Sequence, residues 1–229
     1  MKILAIGAHP DDIEIFMFGF LSACMDRGDT ILLAVATDGS KGGVNLNNNL
    51  VKQRKLETQL GLSKLGKVKM LGFKDGNLHN ENNAKEKIDD LIQTSDPDLI
   101  LTHAPEDYHP DHSYLSKYIK AVAGFRCPLL FSDTLLGVNF IPEIYVDITK
   151  YFDYKKEAIL CHKTQNPNNF VEAVEIMNRF RAAQCNAPRG NYAEAYRLDK
   201  KFPFSDIRGL LPCSPQYRPF YRNLKNSLI

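Results

Sequence analysis

No run of about eighteen apolar residues occurs in the 229 of this chain, so no helix that crosses a membrane is expected. No Cys-x-x-Cys pair occurs either. The five cysteines, Cys24, Cys127, Cys161, Cys185 and Cys213, are odd in number and widely spaced. That pattern argues against a disulfide framework or a cysteine metal site and fits free thiols in a reducing compartment. Net charge is only +2, which leaves no electrostatic footprint for nucleic acid or an anionic membrane. The opening Met1-Lys2-Ile3-Leu4 runs straight into a short strand, without the longer apolar stretch and small-residue cleavage site of a signal peptide. A soluble cytoplasmic protein is therefore expected. The glycine-rich loop at 37–43 carries neither a Walker A nor a Gly-x-Gly-x-x-Gly pattern, which argues against a nucleotide cradle. There is no internal repeat and no low-complexity linker, so residues 1–229 are read as one domain.

What is present is an alternation of strands and helices. Apolar runs at 3–8, 30–36, 67–71, 98–102, 128–131 and 144–146 read as strands. Between them, helical spacing marks 13–24, 51–65, a stretch carrying Ala84, Ile88, Leu91 and Ile92, and another carrying Leu115, Ile119 and Val122. Two more helices are expected at 151–162, with Lys155 and Lys156 on the wet side, and around Phe170 to Phe180. A polar insert at 45–49 is expected to be mobile, and the proline-rich tail from Phe202 to wrap the surface. The fold class is thus α/β and Rossmann-like: a mostly parallel sheet with helices on both faces and right-handed crossovers. With strand order 3-2-1-4-5, strands 1 and 4 are neighbours where the winding reverses, and ligand sites form outside their carboxyl ends.

Two unusual turns follow those two strands. The first is Ala8-His9-Pro10-Asp11-Asp12, with Glu14 beyond it; the second runs His103 to His112 and ends His109-Pro110-Asp111-His112. Packing has no use for so many imidazoles and carboxylates, whereas a divalent cation takes both. His9, Asp12 and His112 supply a two-histidine, one-carboxylate set with an open position. Asp11 is left over as a general base on water activated by the cation. His109 and Asp111 are also left over; a histidine held by a carboxylate can stay protonated, stabilise an oxyanion or protonate a leaving amine. The sum is metal-assisted hydrolysis of an amide or ester. Several neighbours have plainer readings. His103 can hydrogen-bond a loop, Arg54 and Glu57 can be a surface ion pair, Asp38 can cap a turn, and His162 with Gln165 can cap a helix end. Phe16, Phe18 and Phe20 read as a core helix between layers.

The two motifs, together with Thr37-Asp38-Gly39, Arg54, Glu57, Phe73-Lys74-Asp75-Gly76, His162-Lys163-Thr164-Gln165 and Tyr192-Ala193-Glu194-Ala195-Tyr196, resemble the LmbE-like, or PIG-L, family of zinc-dependent N-acetylglucosaminyl deacetylases. The resemblance implies zinc on His9, Asp12 and His112, with Fe²⁺ or Mn²⁺ possible on the same ligands. It implies Asp11 as base, His109 as oxyanion stabiliser or acid tuned by Asp111, and Arg54 near the sugar. Asp38 and Tyr108 are assigned to substrate with it. The expected substrate is an N-acetylated sugar, with assembly as a homo-oligomer. Relatives often have a glycine-rich turn where this chain has Phe16-Met17-Phe18-Gly19-Phe20. Two other readings are an amidase of the same site acting on a non-GlcNAc conjugate, and a sugar-binding relative without catalysis.

Overall fold

The structure is a computed structural model that describes residues 1–43, 49–200 and 207–216. In chain order it forms β1 (Lys2–Gly7), α1 (Asp12–Phe16), α2 (Phe18–Asp26), β2 (Thr30–Thr37), α3 (Leu50–Gly61) and β3 (Val68–Phe73). Then come α4 (Ala84–Ser95), β4 (Leu99–Thr102), α5 (Pro110–Ala123), β5 (Leu129–Ser132) and β6 (Ile144–Asp147). The last are α6 (Phe152–Ile159), α7 (Pro167–Gln184) and β7 (Ala193–Leu198). The expectations for the insert at 45–48 and for most of the tail beyond 202 fall outside the described residues.

The strands lie in the order β3-β2-β1-β4-β5-β7-β6 in a seven-stranded sheet. The first five are parallel, as expected; β7 pairs antiparallel with both β5 and β6. Side-chain alternation explains why helices cover both faces. Ile3 and Ala5 enter one core with Ile13, Phe20 and Cys24, while Leu4 and Ile6 enter the other with Ile88, Ile92, Leu115 and Ile119. A strand buried on both sides needs an unbroken apolar run, and β1 has one. The tip of β1 pairs with β2 as Gly7 with Val35, and Ala5 pairs with Leu101 of β4. The loops that follow β1 and β4 therefore open side by side.

The structure differs from expectation in three places. The helix expected at 13–24 breaks at Met17 (φ −134°, ψ −9°). The cause lies far along the chain: the Glu194 carboxylate accepts the backbone N–H of Gly19 (3.0 Å) and of Phe20 (2.8 Å), capping α2 as a new helix. Glycine is required at 19, because a Cβ there would collide with Ile148. Lys155 is not on the wet side; it is fully buried, donating to Glu194 Oε1 (2.8 Å) and Asn178 Oδ1 (3.0 Å). The strand β7 went unread because Glu194 and Arg197 interrupt its apolar pattern. No helix among the described residues is long and apolar enough to cross a membrane.

Candidate metal centre and active site

The turn after β1 and the N-terminus of α5 bring the two motifs into one cavity of about 380 Å³. His9 is in the turn, Asp12 is the first residue of α1, and His112 sits in the first turn of α5, whose N1 position is Pro110. The three side chains are buried. His9 Nδ1 lies 3.2 Å from His112 Nε2 and 3.4 Å from Asp12 Oδ2, and His112 Nε2 lies 3.3 Å from Asp12 Oδ1. A tetrahedral cation with ligand bonds of about 2.0–2.1 Å needs donor atoms about 3.3–3.4 Å apart.

The outer nitrogens show why the inner ones are free. His9 Nε2 faces Asp75 Oδ1 and Asp111 Oδ2, each at 3.3 Å. His112 Nδ1 faces Asp107 Oδ2 at 2.9 Å. With each outer nitrogen donating to a carboxylate, the inner nitrogens present lone pairs to one another and to Asp12. That arrangement repels itself unless something positive, a proton or a metal ion, lies between, so the donor set fits a divalent cation. His103, fully buried, stacks on His112 with ring centroids 3.8 Å apart, and its Nε2 lies 3.0 Å from Asp12 Oδ2. It takes the Ala8 N–H at 3.1 Å.

Charges in the cavity are strongly coupled. Burial works against a charged His112, but Asp12 and Asp107 outweigh it and lift the imidazole to about 9. Burial would raise Asp12, yet His112 and His103 hold it well below the usual carboxylate range. Burial pushes Asp11 up to about 6 against the pull of Arg54. A carboxylate near neutrality suits proton transfer. Asp11 also sits at φ 124°, a left-handed backbone that only a well-braced site holds in a non-glycine residue. Arg54 is the brace: one amino group donates to Pro10 O (2.5 Å) and Asp11 Oδ2 (3.0 Å), the other to Gly39 O (3.1 Å).

Several expectations are corrected. Asp111 does not partner His109. It holds His9, and its carboxylate takes the N–H groups of Gly76 (2.6 Å) and Leu78 (3.2 Å). His109 lines the cavity without a carboxylate partner; burial and then the charges of His112 and His9 push it down to about 4, so it is neutral at pH 7. Arg54 lines the cavity, 2% exposed, with its amino groups on Asp11 and backbone carbonyls, so it is no surface residue; Glu57 binds Thr164 instead of Arg54. Asp38 takes the N–H of Ser40 (3.0 Å) and of Asp75 (3.2 Å), and so ties the loops after β2 and β3 together rather than lining the cavity. Tyr108 does stand at the mouth, 56% exposed. Asp75 and Asp107 were missed as histidine partners. Asp75 lay in a recognised tetrapeptide; Asp107 had no local signal beyond its acidic neighbours.

A family model described as PIG-L, GlcNAc-PI de-N-acetylase, matches residues 4–123, just over half of the chain and both His/Asp motifs. The chain belongs to the PIG-L family. Among characterised relatives, the diacetylchitobiose deacetylase of Thermococcus kodakarensis is 29% identical over 220 residues, covering 86% of this chain and 82% of that protein. Among solved structures, N,N'-diacetylchitobiose deacetylase from Pyrococcus horikoshii superposes with a TM-score of 0.75 at 22% identity, over 92% of this chain and 88% of that one. The 4-carboxy-2-hydroxymuconate hydratase GalB of Pseudomonas putida scores the same 0.75 at 18% identity, over 86% and 95%. At such identities the likeness shows the fold alone. A hydratase among PIG-L-like folds makes the point that the reaction has to be argued from the site.

Proposed function

We propose that this PIG-L family chain is a metal-dependent N-deacetylase, hydrolysing the acetamido group of an N-acetylated sugar to a free amine and acetate. The observation that carries the reading is the convergence of His9 Nδ1, Asp12 and His112 Nε2 within 3.4 Å of one another, with Asp11 beside them in the same cavity. Family membership and the deacetylase activity in the name of the Thermococcus relative point the same way. His9, Asp12 and His112 would hold the ion, and zinc is the first choice for two imidazoles and a carboxylate, with Fe²⁺ and Mn²⁺ able to use the same ligands. A divalent ion supplies Lewis-acid chemistry there: it acidifies a water and polarises the acetyl carbonyl.

The chain does the rest. Asp75 and Asp111 fix the ring of His9, and Asp107 fixes that of His112. Arg54 engages one oxygen of Asp11 and leaves the other to take a proton from the attacking water. The same carboxyl, now protonated, lies in place to pass that proton to the departing nitrogen. His109, neutral, offers an N–H to the oxygen on which charge develops. An N-acetyl sugar fits better than a simple ester, since amide cleavage needs the amine protonated as it leaves and Asp11 is buried enough to carry that proton.

The test is release of free amine from N-acetylglucosamine, its malate and inositol conjugates, its nucleotide diphosphate and short chitin oligomers. Each is offered to protein loaded with zinc, iron or manganese, beside Asp11→Asn. Release that Asp11→Asn suppresses is expected. No release from any member by protein with metal bound would overturn the reading.

A further inference from the structure

The cavity has two unlike walls. Loops after β2 and β3 form one of them, with Lys41, Gly42, Asp75 and Gly76, joined by Gln165, whose amide donates to Gly42 O (2.9 Å). The opposite wall comes from the β5 side of the sheet, with Leu135 from the loop after β5 and Phe170 from the first turn of α7. Strand order puts these walls on either side of the β1–β4 pair that carries the metal ligands. Sugar hydroxyls have hydrogen-bonding partners on the first wall and almost none on the second.

The apolar wall is built rigidly. Asp133 and Arg181, both buried, form a two-pronged ion pair (Nε to Oδ2 2.6 Å, Nη2 to Oδ1 2.9 Å) that ties the loop after β5 to α7. Asp133 Oδ1 also takes the Thr134 N–H (2.9 Å), and the Thr134 hydroxyl donates to Val138 O (2.5 Å). Glycine is needed at 137, at φ 72°, because a Cβ would lie 2.6 Å from Arg181 Nη2. The turn so fixed directs Leu135 into the cavity and holds Leu136 in a left-handed conformation (φ 56°), 57% exposed. A leucine kept in that backbone with its side chain in water serves no packing purpose. Val138 in the same loop and Phe180 on α7 are also exposed, at 45% and 56%.

We infer that the β5 wall is an aglycone subsite that selects N-acetylated sugars carrying an aromatic or alkyl aglycone, packed on Leu135 and Phe170 with Leu136 at the rim. The inference rests on the deacetylase reading for the position of the sugar: the acetamido group at the ligands and Asp11, the ring hydroxyls on the polar wall, the aglycone leaving over the apolar one. Polar and acidic aglycones gain nothing from this wall, since burying them against leucine and phenylalanine leaves their hydrogen bonds unmade.

The test compares methyl, phenyl, hexyl and carboxymethyl glycosides of N-acetylglucosamine on the zinc-loaded protein. Both kcat/KM for amine release and Kd for the zinc-loaded Asp11→Asn variant are measured, the latter by calorimetry. The phenyl and hexyl compounds are expected to exceed the methyl compound by about tenfold in both readouts, with the turnover gain in KM. Carboxymethyl is expected to equal methyl or fall below it. Leu135→Ala and Phe170→Ala should each bring the phenyl-to-methyl ratio to within about threefold of one. Leu136→Ser, at an exposed position that the fold does not depend on, should lower it by about half. A ratio near one in both readouts, or a preference for carboxymethyl, overturns the subsite and leaves the deacetylase reading standing. Tenfold tighter phenyl binding with no turnover of any glycoside supports the subsite and overturns the deacetylase reading.

Discussion

Two buried clusters of charge flank the first helix pair, and they are built on opposite plans. Around Glu194, every lone pair has a donor: Gly19 N–H and Lys155 Nζ on one oxygen, Phe20 N–H and the Tyr196 hydroxyl on the other. The cluster is closed. Around His9, Asp12 and His112, the outer nitrogens are satisfied by Asp75, Asp111 and Asp107, and Asp12 Oδ2 takes the His9 N–H (2.6 Å), but the inner imidazole nitrogens face only each other and Asp12. Both clusters are buried. A closed cluster fixes a fold, while one whose inner imidazole nitrogens and carboxylate converge on one point marks a place for a cation.

The comparison yields four tests. His112→Ala should remove bound metal and turnover together, measured as zinc per chain and amine release; retention of one zinc per chain would break the contrast at its root. Asp11→Asn should keep the metal and lower kcat by about 10²–10⁴-fold, since only the proton carrier is gone. In the closed cluster, Lys155→Met should destabilise the fold by about 3–5 kcal/mol by stranding a buried carboxylate, read as a lower Tm, while zinc per folded chain holds at one. If it lost zinc without losing stability, the Glu194 cluster would belong to the site. The exposed pair of Lys64 and Glu157 (2.9 Å) should be worth at most about 1 kcal/mol, so Lys64→Ala sets the scale at which a charge contact ceases to matter.

Local pattern carried much of the molecule. The five parallel strands follow from apolar runs whose burial on both faces leaves no room for polar residues, and the order 3-2-1-4-5 appears among the seven. The motifs at 9–12 and 109–112 meet because β1 and β4 are neighbours. What escaped depends on contacts between distant residues. The break at Met17 is set by Glu194, 175 positions beyond Gly19. Asp111 is two residues from His109 yet binds His9, because the first turn of α5 points it toward the loop after β3. Arg54 resembled a surface residue by its helical spacing, but α3 turns it under the first motif. His162, expected to cap a helix, meets Glu14 at 2.8 Å in the interior, where burial disfavours its charge and Glu14 restores it above the ordinary histidine value.

The placement of β7 bears on the order in which the chain can become itself. His9, Asp12 and His112, their carboxylate partners and Asp11 all lie before residue 113, so they leave the ribosome ahead of everything from the middle of α5 onward. The strand that separates β5 from β6 and brings Glu194 to the head of α2 is made some eighty residues later. Until then β5 and β6 have no strand between them, and 12–26 has only its own apolar spacing to follow, which favours one continuous helix. A nascent chain therefore holds both His/Asp motifs while still missing the carboxylate that caps α2.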